Sequence, residues 1–380
     1  MKIAVVCDVL GSETNGTVVA AMNLIRSLIS KGHDVNILCA DQSKKGIDKY
    51  FVVPNLSLGI LDKFIEMNNV TLATIDKEVI DEALHDREHI HIMLPFILGR
   101  YAVKYAMNKG ISVTAGFHAQ AENLSSHLRM QNVEFINRAI YKNFYRDFYR
   151  YVDGIHFPTK FIRDDFEKRI HKKTNAFVIS NGVNRDVIKK DIIRPNELKD
   201  KIIILSTGRY SVEKDQATLI KAIKLSKYHD KIQLVLAGQG PLLHKYKMLA
   251  KDCDNAVIFK IYNHDELIEM INMCDLYVHP AIIELEGIAC IEAISVGKLV
   301  ITSDSKKSAT KGFVVDDKCI FRHGNANSLA KTIDYWLSDN YKRKWAEDAY
   351  FASRDLYDLD KCMDKMEEMM FTVHNNYHKK

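Results

Sequence analysis

No run of apolar residues in the 380-residue chain reaches the length of a membrane-spanning helix, ~18 residues. That excludes an integral membrane protein built on helices. No two of the seven cysteines form a C-x-x-C pair; Cys7, Cys39, Cys253, Cys274, Cys290, Cys319 and Cys362 lie scattered. An odd, unspaced set argues against a zinc site or a disulfide frame and for buried thiols in a reducing compartment. Charge of one sign is also lacking. The 54 Lys and Arg against 49 Asp and Glu leave +5, which makes no demand for nucleic acid but leaves room for a local basic patch. No signal-peptide pattern precedes the first apolar run, at Lys2. The expectation is a cytoplasmic protein, at most peripheral on the inner face of the cell membrane.

What is present is apolar material for more than one core. Hydrophobic residues make up 47% of the chain, which is longer than the size at which single cores stop growing. The runs alternate in type. KIAVVC (2–7) is a continuous apolar stretch, the mark of a strand buried on both faces. A polar turn (11–16), a helix (17–30) and a second strand (33–40) follow, a βαβ opening. The alternation continues through strands at 89–94, 111–117, 154–157 and 176–180, with helices at 101–108, 133–151 and 159–168. After the Asn181–Gly182 turn signal, 184–200 is charged and poorly periodic. The pattern restarts with strands at 202–206, 232–237, 257–260, 276–278 and 299–302. This predicts an α/β protein of two facing doubly wound, Rossmann-like domains with a cleft between them. The boundaries are 1–183, a linker at 184–200, and 201–358. Ligands of such sheets sit outside the carboxyl ends of the strands.

Several constellations fall at those ends. Glu284 and Glu292 have seven residues between them, Gly287 among these, in HPAIIELEGIACIEAISVGKLVIT (279–302). One acid is in a loop and the other inside a helix over 287–296, whose entrance offers bare N–H groups to an anion. Gly208, Arg209 and Lys214 occupy a loop that opens into a helix. A guanidinium, an ammonium and a helix N-terminus suit a diphosphate; a solvated loop paired to Glu213 or Asp215 is the alternative. Gly238-Gln239-Gly240-Pro241 starts like a dinucleotide fingerprint but lacks its third glycine, so it reads as a turn with Pro241 at the first helical position. Asn15-Gly16-Thr17 either approaches a ligand or simply caps a helix. His118 ends a strand and is a candidate for chemistry, with Glu122 and His127 behind it. Asp358-x-Asp360 and Asp252-x-Asp254 have metal-like spacing but read as helix-edge carboxylates, and no metal is expected. Arg138, Lys142, Arg146 and Arg150 recur every fourth residue among aromatics. They form either a seat on anionic lipid or an ordinary surface stripe.

Taken together, these motifs resemble a retaining glycosyltransferase of family four, with the GT-B fold. The E-x7-E element at 284–292, the loop GRYSVEK (208–214), and VISNGV (178–183), LAGQGP (236–241) and DLYVHPA (275–281) stand in that family's order. FHAQAEN (117–123) and SKKSATKGF (305–313) resemble its diacylglycerol and polysaccharide glucosyltransferases. The resemblance implies a nucleoside-diphosphate sugar donor, UDP-linked, and a lipid or glycan hydroxyl as acceptor. It implies that Glu284 contacts sugar hydroxyls, Glu292 the ribose, and Arg209 and Lys214 the diphosphate, with His118 near the transferred sugar. Gly16, Gly208, Gly238, Glu286, Gly287 and Ile288 complete the donor set. It further implies retention of configuration, the leaving phosphate helping to deprotonate the acceptor, no cofactor, and a last helix (about 359–380) returning to the first domain. Glu286, where the family often has an aromatic, bears on sugar choice. The rival readings are a GT-B-like sugar-nucleotide epimerase, an NAD-dependent two-domain oxidoreductase and a catalytically silent carbohydrate-binding protein.

Overall fold

The structure, a computed structural model, describes residues 1–8, 10, 16–55, 73–126 and 133–379. The 11–15 part of the first loop, with Asn15, and His127 lie outside the described residues. The chain divides into two compact units, Met1–Asn181 with Asp360–Lys380, and Gly182–Leu359.

The first unit is built on a parallel sheet of seven strands: β1 (Lys2–Cys7), β2 (Asp34–Cys39), β3 (Tyr50–Val52), β4 (His89–Ile92), β5 (Ser112–Gly116), β6 (Gly154–Phe157) and β7 (Ala176–Val178), in the order β3-β2-β1-β4-β5-β6-β7. Ile3 to Cys7 are each at most 1% exposed. That is what a continuous apolar run should do between two helical layers. The C-terminal helix, Leu359–Tyr377, packs on this unit. Cys362, Met363, Met366, Met369, Met370 and Val373 form its buried stripe, and its Glu367 receives Lys31 and His33, both at 2.7 Å.

The second unit repeats the winding with β8 (Ile202–Thr207), β9 (Ile232–Ala237), β10 (Ile258–Lys260), β11 (Leu276–His279), β13 (Val300–Ser303) and β15 (Ile320–Phe321), ordered β10-β9-β8-β11-β13-β15. A separate two-stranded ladder pairs β12 (Ile283–Glu284) with β14 (Lys307–Ser308). Both large sheets reverse their strand order beside the first strand of the unit, and a reversal of this kind opens a ligand crevice at the carboxyl edge.

Three expectations are corrected. Residues 184–200, expected as a linker, belong to the second unit. Val187 is in its core, the Lys190 N–H donates to Asn272 Oδ1 at 2.8 Å, and Arg194 pairs with Asp275 at 2.9 Å. Specific partners hold this segment, so periodicity could not show it. The helix expected over 133–151 ends at Asp147, and Arg150 lies in a following 3₁₀ turn, Tyr149–Tyr151. Phe148, at φ −145°, breaks the helix and is fully buried. Pro241 precedes its helix, which runs Leu243–Ala250.

Candidate active site

The second unit gathers its functional candidates at the carboxyl edge, where β8 and β11 are neighbours. The loop after β8 is zipped to the loop after β9. Gly208 N–H donates to Ala237 O at 2.9 Å, Tyr210 N–H to Gln239 O at 2.8 Å, and Leu242 N–H to Tyr210 O at 3.1 Å. Gly238 makes this possible. At φ +150° a Cβ there would stand 2.2 Å from the carbonyl oxygen of Gly208, so no side chain fits. The glycine pair that kept a dinucleotide reading open is therefore a packing device for the Arg209 loop.

The same loop is joined to the E-x7-E element. Ile282 N–H donates to Glu213 O at 2.7 Å, and Lys214 Nζ donates to Glu284 Oε2. The sequence reading sent Lys214 to a diphosphate and Glu284 to a sugar; the structure pairs them directly. The same oxygen of Glu284 lies 2.9 Å from His279 Nε2, at the end of β11. Gly287 follows at φ +88°, where a Cβ would meet Thr310 Cγ2 at 2.7 Å. The helix Ile288–Ser295 begins immediately after it. The first N–H groups of such a helix have no partner within it and carry its positive end.

The two acids of the motif sit in opposite electrostatic states. Burial works against charge on Glu284, but Lys214 and His279 outweigh it and hold the carboxyl down at about 2. Burial likewise opposes the Lys214 ammonium, and Glu284 reverses the shift to upward. Glu292, one turn into the helix, is pushed up to about 7 by burial, with His264 drawing it down and Asp186 adding to the rise. Those two groups pair with each other at 2.8 Å.

Arg209 is half-buried in the loop after β8, and Ile288 half-buried at the helix start. Glu286 is only 3% exposed, the most enclosed of the donor-set side chains. Gly16 and His118 belong to the other unit. Gly16 is exposed and opens the helix Gly16–Ser30. His118 stands just beyond β5, its ring 5.6 Å from that of His156. Burial, with His156 adding to it, lowers His118 to about 3, and its Nε2 is buried without a hydrogen-bond partner. Glu122 is fully buried, taking Tyr141 Oη–H at 2.8 Å and Arg169 at 3.0 Å. It ties the helix Ala121–Ser126 to its neighbours. His279 is the residue that sequence reasoning passed over. The rule that singled out His118, a histidine at a strand's carboxyl end, marks it equally.

Family comparison agrees with the two-unit fold. The model of glycosyltransferase family 4 matches residues 14–187, and that of the group 1 glycosyl transferases matches 188–350. The alpha-monoglucosyldiacylglycerol synthase of Streptococcus pneumoniae is 24% identical over 321 residues, 79% of this chain and 70% of its own length. A glycosyltransferase of Bacillus subtilis, YqgM, is 26% identical over 52% of this chain and 55% of its own. Among solved structures, HepE of Anabaena in complex with UDP and glucose superposes with a TM-score of 0.74 at 16% identity, covering 98% of this chain and 100% of that one. WaaG, a glycosyltransferase involved in lipopolysaccharide biosynthesis, gives 0.70 at 17% identity, covering 97% and 99%. With one family model on each Rossmann-like unit, the chain belongs to the family 4, group 1 glycosyltransferases of GT-B fold.

Proposed function

We propose that this glycosyltransferase moves glucose from UDP-glucose to a lipid hydroxyl, with retention of configuration. The observation that carries the donor half is the Lys214–Glu284 pair beside the helix start at Gly287, with Arg209 earlier in the same loop as Lys214. It supplies fixed positive charge for a diphosphate and a carboxylate for sugar hydroxyls within one loop pair. HepE, of the same fold, was solved with UDP and glucose. The lipid half draws on the pneumococcal relative, whose name states a diacylglycerol acceptor. Arg209, Lys214 and the first N–H groups after Gly287 stabilise the departing diphosphate, a preorganised electrostatic contribution of about 3 kcal/mol per donor in comparable sites. Glu292 reads the ribose hydroxyls, and His118 serves the acceptor side in the first unit. The leaving phosphate takes the acceptor proton. With charge stabilisation supplied by these side chains, turnover proceeds without a metal or other cofactor, and chelator leaves it unchanged.

The decisive experiment is a panel of UDP-, GDP- and ADP-sugars scored by nucleotide release, with and without diacylglycerol in vesicles. UDP-glucose turnover that rises with the lipid is the expected result. Release from another donor, or indifference to lipid, defeats the corresponding half. Interconversion of sugars with no acceptor present turns the reading to an epimerase. The anomeric proton coupling of the product reports retention or inversion.

Among the described residues no helix is long and apolar enough to cross a membrane. A peripheral seat on the inner face of the cell membrane is instead supported by the helix Glu134–Asp147. Phe135 is 74% exposed on it, and Arg138 and Lys142 are exposed beside it. Tyr141 and Phe144 are buried, so they are core. Each basic residue at an anionic surface is worth about 1 kcal/mol. The double variant Arg138→Glu, Lys142→Glu should lose at least ten-fold in binding to vesicles containing anionic lipid and nothing on neutral ones. Equal binding of variant and wild type removes this surface from the proposal. All seven cysteines are free thiols, which suits a reducing cytoplasm.

A further inference from the structure

We propose that His279 is a positioning residue for the donor sugar, holding one oxygen of Glu284 so that the other is aimed at the sugar hydroxyls. The inference rests on the donor reading above. Three contacts carry it. His279 is 2% exposed, and its Nε2 lies 2.9 Å from Glu284 Oε2. A carboxylate only accepts, so Nε2 bears the proton. Nδ1 is buried with no partner, which fits a ring unprotonated there. The ring lies parallel to that of Tyr277, two residues back on the same face of β11, with centroids 6.3 Å apart. The Tyr277 hydroxyl is in turn fixed at 2.7 Å from Thr207 Oγ1, at the end of β8. A continuous run of contacts thus leads from the sheet to one carboxylate oxygen.

Glu284 has a second partner, Lys214, on the same Oε2. Lys214 is a flexible ammonium, and a diphosphate competes for it. His279 is a neutral donor on a rigid strand, its basicity lowered by burial although Glu284 pulls the other way. When Lys214 turns toward a diphosphate, His279 keeps Glu284 in place with Oε1 unclaimed by either. The nucleotide and the sugar are therefore read by separable groups, and His279 should act on the sugar alone.

The test uses the full chain with UDP and UDP-glucose as probes. His279→Phe keeps the ring packing against Tyr277 and removes the N–H; His279→Gln keeps a donor at the position of Nε2. Calorimetric titration should show His279→Phe weakening UDP-glucose at least ten-fold while UDP changes less than two-fold. His279→Gln should recover most of the loss, and in turnover the change should appear in the KM for donor more than in kcat. Equal weakening of UDP and UDP-glucose, no weakening of either, or failure of Gln to recover what Phe loses overturns the inference. If glucose is the wrong sugar, wild-type chain binds another nucleotide sugar of the panel more tightly than UDP-glucose. The same comparison is then decisive with that sugar.

Discussion

The carboxyl edges of the two sheets follow one winding plan and carry opposite chemistry. On the second unit the edge is charged: Lys214 and Glu284 pair there, Arg209 stands in the same loop as Lys214, and Glu284 stays ionised because Lys214 and His279 outweigh its burial. On the first unit three buried groups are shifted toward their neutral forms. His118 and His156 are lowered to about 3 and about 4, chiefly by burial. Asp8, just past β1, is raised to about 7 by burial, although it accepts the Leu98 N–H at 3.1 Å. A diphosphate leaving group needs the first kind of edge. On the proposed function, a neutral alcohol is suited by the second. On the proposed function, this asymmetry divides one architecture, used twice in the chain, into a half for the anionic substrate and a half for the uncharged one.

The largest effect that sharpens this contrast is Arg209→Ala. Loss of one preorganised cation facing a growing negative charge should lower kcat about 100-fold or more. The residue is half-buried in a loop held by backbone bonds of its neighbours, so the circular-dichroism spectrum should be unchanged. Turnover within a few-fold of wild type would remove Arg209 from the charged edge and leave the contrast without its main catalytic consequence.

Next is Glu284→Ala, which strands Lys214. The two side chains are 15% and 24% exposed, so the ammonium left behind is largely enclosed. Breaking such a pair costs about 3 kcal/mol, near the lower end for buried pairs because solvent reaches part of it. The sign with pH follows from the lowered Glu284 carboxyl. Its stabilisation is complete above the unfolded value near 4.5 and fades as pH falls toward about 2. Wild type and variant should therefore converge in melting temperature below pH 3 and differ most at neutral pH. Parallel curves would mean that the pair does not hold the two loops together.

How much of this was legible in the sequence divides along the same physical line. The buried strands announced themselves as unbroken apolar runs, and helix starts such as that at Ile288 followed a glycine. β12 and β14 are two residues each and carry no period, so they did not show. The Lys214–Glu284 pair joins positions 70 residues apart, and only the adjacency of β8 and β11 brings it together. The expected roles of the two residues had kept them apart because local pattern reports chemistry but not partners. Likewise 184–200 looked like a linker because its ties, Asn272 and Asp275, come from a distant helix and its end.

Glu292 tests whether a group at the charged edge can nonetheless be held near neutrality. Its carboxyl is raised to about 7, so the folded state binds its proton more tightly than the unfolded chain does. Its contribution therefore disfavours the fold increasingly as pH rises from about 4.5 to 7. For donor binding the sense is opposite, because the ionised acid accepts ribose hydroxyls better. The KM for UDP-glucose should fall several-fold between pH 6 and 8, and Glu292→Gln should hold it constant. A wild-type KM that does not move over this range would separate Glu292 from the ribose.

The smallest effect on turnover is expected at the neutral edge, from Asp8→Asn. Asparagine keeps an oxygen for the Leu98 N–H and cannot ionise. Asp8 Oδ1 is buried without a hydrogen-bond partner, so the charged form has little to gain there. Its raised value means that wild type is favoured while Asp8 is protonated and loses stability as pH climbs from near 4 to about 7. The variant should match wild type in melting temperature at pH 5 and exceed it by several degrees at pH 8, with kcat within about three-fold, since a structural acid moves stability and not the barrier. A large fall in kcat with no change in melting would place a functional charge on the first sheet after all. The division of labour between the two edges would then fail at an acid just past the first strand, a position that no motif had marked.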